Sequence, residues 1–195
     1  MRKTHPRYVL ELKRNYLAKA YDQSRQPKES IKAWTSVVEG LSKLYPAHND
    51  TLLTSRQCLA WAYHKDGQED KAIDMFQSII DIQKQRYPSH RPEVLWPRYR
   101  LAWLYRSRGQ GLKAIDIYED IISIARKHNW PELSDFLFET KCNLAKAYYE
   151  AGEIGKAIDL LVDTIHTWSP KYQPDSPQIK KLNEDLAEWL EKQNA

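Results

Sequence analysis

"LAWAYHKDGQEDKAIDMFQSII", Leu59 to Ile80, and "LAWLYRSRGQGLKAIDIYEDII", Leu101 to Ile122, are nearly the same sentence written 42 positions apart. The copies agree on Leu, Ala, Tyr, Gly and Ala-Ile and disagree on nearly every charge. A self-similarity of this period marks an array of stacked supersecondary units, so the period is read before anything else. The Leu-Ala pair recurs at Leu17-Ala18, Leu59-Ala60, Leu101-Ala102, Leu144-Ala145 and Leu186-Ala187, at spacings of 42, 42, 43 and 42. Four residues after each anchor Leu stand Tyr21, Tyr63, Tyr105, Tyr148 and finally Leu190. Later in each copy come Ser30-Ile31, Ala72-Ile73, Ala114-Ile115 and Ala157-Ile158, then a large residue at Trp34, Phe76, Tyr118 and Leu161.

Each copy reads as two helices. Apolar positions recur in steps of three and four on both sides of Gly67, Gly109 and Gly152, which is the helical period. A glycine there takes the left-handed conformation that ends the first (A) helix. In the first copy that place is held by Arg25. The small Ala72, Ala114 and Ala157 allow the second (B) helix to lie close to the first, and the aromatics fill the space between. "LYPAHND", "RYPSHRPE" and "YQPDSP" break the chain between copies, since proline cannot continue a helix. The fourth copy has one extra residue, within "RKHNWPELSDFLFET". The equivalent His48 and His90 are expected to help cap these turns.

This Leu-Ala, Tyr, Gly, Ala, Phe/Tyr, Pro pattern resembles the tetratricopeptide repeat. The long period and the "YPAH" and "YPSH" turns resemble its kinesin-light-chain variety, and the second copy is also similar to the repeat arrays of fungal NOD-like receptors. The resemblance implies an all-α, right-handed α-solenoid of four helix-turn-helix repeats of 42–43 residues, closed by a C-terminal capping helix. We expect one domain over residues 1–195, with repeats at about 6–47, 48–89, 90–132 and 133–174 and the cap at about 177–193. Ile179, Leu182, Leu186, Trp189 and Leu190 of the cap should face back onto the array. No helix caps the first repeat, which points to a fragment of something longer or to a surface that docks elsewhere.

The same resemblance implies where function lies. Residues shared by the copies build the scaffold, and those that differ line a groove of A helices. Carried over position by position, the groove holds Leu12, Asn15, Tyr16, Lys19 and Asp22; Thr54, Gln57, Cys58, Trp61 and His64; Trp96, Tyr99, Arg100, Trp103 and Arg106; and Glu139, Cys142, Asn143, Lys146 and Tyr149. Lys181, Glu184, Asp185 and Glu188 follow in the cap. Asn15, Gln57 and Asn143 offer amides, which both donate and accept, to the backbone of an extended peptide. Trp61 and Trp103, with Trp96 and Tyr99 near, look like aromatic anchors. The third repeat is rich in arginine, which suits carboxylate or phosphate groups. Each feature also has a plainer reading: a solvated polar face, inter-repeat packing, or a solubilising charge.

Bulk properties narrow the rest. Hydrophobic residues are 42% and charged residues 29%, a globular balance. Residues 1–50 carry net +5, residues 51–131 net +4 and residues 132–195 net −5, so the two ends differ in sign. Two cysteines make no disulfide framework and fit a reducing, cytoplasmic setting. The opening "MRKTHPRYVLELK" lacks the apolar core of a signal peptide, and no run is apolar enough to span a bilayer. No phosphate loop, His-Glu-x-x-His, Cys-x-x-Cys or nucleophile elbow is present in the sequence. Cys58 and His64 point to different azimuths of one helix.

We therefore expect a non-catalytic protein- or peptide-binding module that takes an extended segment with acidic and bulky apolar side chains. No cofactor, no metal and no membrane partner is expected, and the chain should be a monomer or a weak homodimer through its first repeat. One alternative is a small-molecule protein or enzyme with an aromatic pocket containing His64, Tyr99, Tyr149 and Glu139. Another is RNA binding through the arginine-rich third repeat, against which the acidic last third counts.

Overall fold

Helix follows helix wherever the repeats were read. The computed structural model describes residues 16–21, 23–86, 92–128, 130, 133–172 and 176–194. The helices are α1 (within residues 16–21), α2 (Pro27–Ser42), α3 (Asp50–Lys65), α4 (Glu69–Arg86), α5 (Pro92–Ser107), α6 (Gly111–His128), α7 (Ser134–Glu150), α8 (Ile154–Trp168) and α9 (Pro177–Gln193). No strand occurs among the described residues. The chain divides into two compact units, Met1–Pro97 and Arg98–Ala195.

The turn inside each repeat explains the recurrent glycine. Gly67, Gly109 and Gly152 have φ of 77°, 71° and 83°, and Arg25 holds the same place at φ 55°. One residue on, the backbone N–H reaches back to the carbonyl of the repeat tyrosine. Gln68 donates to Tyr63 at 2.9 Å, Gln110 to Tyr105 at 2.9 Å, Glu153 to Tyr148 at 2.9 Å and Gln26 to Tyr21 at 3.2 Å. This is the six-to-one closure of a Schellman motif, which satisfies a carbonyl that the helix leaves bare.

In the first unit α2, α3 and α4 close on Trp34, Val37, Leu52, Leu59, Ala62 and Phe76, each 3% exposed or less. In the second, α6, α7, α8 and α9 close on Tyr118, Leu144, Ala147, Leu161, Ile179 and Trp189. Ala72, Ala114 and Ala157 are fully buried, as close helix approach requires. In the inter-repeat turn Asn49 accepts from the N–H groups of Thr51 and Leu52 at the start of α3, while His90 lies outside the described residues. The extra residue of the fourth repeat lengthens α7. That helix begins ten residues before its anchor Leu144, whereas α3 and α5 begin nine before theirs.

Pro97 stands inside α5 and cannot donate to the carbonyl of Glu93, four residues earlier. The side-chain amide of Gln83, only 4% exposed, donates to that carbonyl at 3.2 Å instead. A glutamine in an apolar core is thereby explained.

The cap departs from expectation at one end. Ile179, Leu182 and Trp189 are buried, but Leu190 is 41% exposed and Asp185 is buried in its stead.

Candidate functional site

The expected groove residues belong to both units, so each unit is taken separately. In the first, Asn15 lies outside the described residues, with Leu12 and Asp22. Lys19 is exposed on α1, and Gln57, Trp61 and His64 are half-buried along one stripe of α3. The Trp61 and His64 rings lie 4.9 Å apart, tilted by 37°. Burial holds the imidazole below its ordinary pKa of 6.5, opposed by the Glu69 carboxylate at 3.7 Å and aided by Lys65. Trp96, on the first turns of α5, is 41% exposed.

The second unit gathers more of the expected residues. Tyr99 on α5 is 5% exposed, packed edge-on against Phe136 at 5.5 Å and tilted against Tyr118 at 5.8 Å. It is floor rather than anchor, a correction to its sequence reading. Burial, with the nearby Glu139 carboxylate, pushes its hydroxyl up to about 12, so it stays protonated. That hydroxyl accepts from Nδ2 of Asn143 on α7 at 3.0 Å, and the same nitrogen donates to the Glu139 carbonyl at 2.9 Å. Because the Glu139 carbonyl can only accept, the amide orientation is fixed. Both amide hydrogens are used within the unit, which leaves Oδ1 as the acceptor that Asn143 can offer.

Around this amide stand cations and aromatics. Arg100 lies over the Tyr99 ring at 5.8 Å, and Trp103 is half-buried one turn on. Lys146, 39% exposed, faces the buried Asp185 of α9 at 3.7 Å, and Lys181 meets the other oxygen of Asp185 at 3.0 Å. Tyr149 stacks on Trp189 with centroids 4.7 Å apart and donates to Glu188 at 3.2 Å. Arg106 binds Glu150 at 2.8 Å and Arg98 binds Asp120 at 2.9 Å, so two of the expected free arginines are ion-paired within the unit. Burial pushes the Cys142 thiol up to about 12, away from nucleophile chemistry.

Sequence reasoning passed over Glu150, Asp120 and Trp189 as partners. A signal existed for Asp120: an acid follows the anchor by nineteen residues at Asp120 and again at Asp163, where Lys141 binds it at 2.6 Å. Among the described residues no cluster of His, Cys, Asp or Glu is composed to hold a metal ion, and no helix is long and apolar enough to cross a membrane.

With the geometry in place, comparison with known proteins gives the fold its name. Residues 59–83 match the tetratricopeptide repeat model. No curated protein matches the sequence. A crystal structure of nearly identical TPR-like repeats, ascribed to a Podosopora anserina kinesin light chain, is 24% identical. It covers 97% of this chain and 89% of its own at a TM-score of 0.82. BtubC (BKLC) from P. vanneervenii is 14% identical, with 94% and 72% covered and a TM-score of 0.79. The Rap conjugation gene regulator of plasmid pLS20, solved in complex with the Phr* peptide, is 13% identical at a TM-score of 0.69, and the match covers 94% of this chain and 48% of that one. The chain has the all-helical fold of tetratricopeptide-repeat arrays of the kinesin-light-chain type, and its residues 59–83 match the repeat itself.

Proposed function

We propose that this chain is a protein-interaction module that binds an extended peptide segment along the A helices of its second unit. One observation carries the reading. Asn143 is held by Tyr99 and the Glu139 carbonyl so that only its Oδ1 remains to accept. A fixed acceptor on a helical face is suited to a backbone N–H of an extended chain, which has one to offer at every residue but proline. Pinning the amide beforehand removes the entropy of ordering it on binding. Trp103 supplies an apolar contact beside it, and Arg100 and Lys146 favour acidic side chains in the ligand. The Rap relative, which shares the fold and was solved with a peptide, supports the same class of ligand.

Two other readings lose ground on particular residues. The aromatic-pocket enzyme loses a candidate base in Tyr99, which is 5% exposed and whose hydroxyl is held up to about 12. RNA binding through the third repeat is weakened because Arg98 and Arg106 already hold carboxylates.

The test is a displayed random-peptide selection on the wild-type chain and on Asn143→Leu and Trp103→Ala. Peptides that bind the wild type should lose about tenfold or more in each variant, the loss of one hydrogen bond to a fixed acceptor or of one aromatic anchor. Selected peptides that bind both folded variants as tightly as the wild type would refute the groove assignment.

A further inference from the structure

The second, third and fourth repeats share one polar device. Three residues before the anchor Leu stands a cation, and a lysine twelve residues after the anchor lies over the repeat tyrosine. Lys71 is 5.4 Å from the Tyr63 ring, Lys113 is 5.2 Å from Tyr105 and Lys156 is 5.4 Å from Tyr148. In the third and fourth repeats the cation at minus three is neutralised by the acid at plus nineteen. Arg98 binds Asp120 at 2.9 Å, and Lys141 binds Asp163 at 2.6 Å. The acid at plus fifteen, Asp116 or Asp159, is present in both repeats, yet neither cation pairs with it.

The second repeat breaks the pattern at one place. Its cation is Arg56, and at plus nineteen it has Ser78, as the first repeat has Ser36, where the third and fourth have aspartate. Arg56 and Ser78 line one cleft of about 360 Å³ between α2, α3 and α4, with Tyr63 and Lys71 beside them and Val38 and Met75 as its apolar walls. Asp74 also lines this cleft, in the register that Arg98 and Lys141 decline in their own repeats. Arg56 therefore sits in a partly apolar cleft that lacks the plus-nineteen carboxylate its counterparts bind in the third and fourth repeats, with Lys71 adding a positive charge and Asp74 a negative one.

We propose that this cleft is a second docking site, which takes an aspartate or glutamate side chain of a partner polypeptide into the place of the missing acid. The carboxylate would bind the Arg56 guanidinium, whose fork matches two carboxylate oxygens. A neighbouring apolar side chain of the partner would pack on Val38 and Met75. Arg56 lies on a different stripe of α3 from Gln57, Trp61 and His64, so this surface is separate from the A-helix groove.

The test uses the full chain and a displayed library of short peptides with a fixed central glutamate. Peptides enriched on the wild type should lose about tenfold or more in affinity for Arg56→Gln, which removes the charge. They should lose as much for Ser78→Asp, because the chain then fills the place itself as the later repeats do. Ser78→Ala, which leaves the place open, should bind them like the wild type. Peptides that bind Ser78→Asp as tightly as the wild type would overturn the proposal. So would a set sensitive only to Arg100→Glu, or no enrichment by a wild-type chain of native circular dichroism.

Discussion

Arg25 occupies a backbone conformation that the other three repeats give to glycine, and the swap between the two is measurable in both directions. At φ 55° a side chain with a Cβ costs roughly 1–2 kcal/mol relative to the right-handed region. Replacing Arg25 by Gly removes that cost and returns about 0.4–1 kcal/mol of it through the greater freedom of glycine in the unfolded chain. Arg25 is exposed, so little packing is lost. The expected net gain is about 0.5–1 kcal/mol, a rise in Tm of roughly 1–4 °C for a chain of this size. Gly67→Ala is the mirror experiment. A Cβ built on Gly67 meets nothing within 4 Å, so the substitution reports only the φ of 77° and should destabilise by a similar amount. Urea melts with unchanged slope would establish both values. If Gly67→Ala lost stability and Arg25→Gly failed to gain it, the first repeat would not be ending its A helix by the same device, and the argument from shared register would be wrong.

Two further outcomes follow from side chains in the first unit. Gln83→Leu should cost about 1–3 kcal/mol because it strands the Glu93 carbonyl. In a Pro97→Ala background, which restores the backbone donor, that cost should shrink, and a double-mutant cycle that showed no coupling would refute the account. His64 has a folded pKa below 6.5, so as pH falls the unfolded chain takes up the proton first. Stability should be full above about pH 6.5, decline below it, and level off once the folded state is protonated too. His64→Gln should remove that part of the slope in a series of denaturant midpoints against pH, and an unchanged slope would place it on other groups.

The parts of the molecule that repeat were legible in the sequence, because a repeated position is measured several times over. Four residues read as one turn have positive φ, and Trp34, Phe76, Tyr118 and Leu161, read as one packing position, are each 1% exposed or less. The parts that failed are those where one copy differs from the rest. Tyr99 looks like Trp61 and Trp103 by type, yet it stands two residues before the anchor rather than two after, and that offset turns it into the core. The third repeat was read as rich in arginine suited to carboxylate or phosphate groups. Its acids, Asp120 and Glu150, lie on neighbouring helices, and no linear count of charge places them at Arg98 and Arg106. Leu190 was read as buried from periodicity, which reports the face of a helix but not whether another helix covers it. Asn143 was read as an amide from its position, but its fixed orientation depends on a hydroxyl 44 residues away.

The hydrogen bond that closes each repeat turn joins two backbone groups, the N–H after the glycine and the carbonyl of the tyrosine. Neither partner depends on what side chain is carried between them. "HKDGQEDK" and "RSRGQGLK", at Tyr63 plus one and Tyr105 plus one, close the same ring with different charges. Such turns behave as interchangeable cassettes. A segment cut from one repeat and set into another should carry its charges to the new position without asking the backbone to change, so the surface of this array can be rewritten by recombination while its framework stays the same.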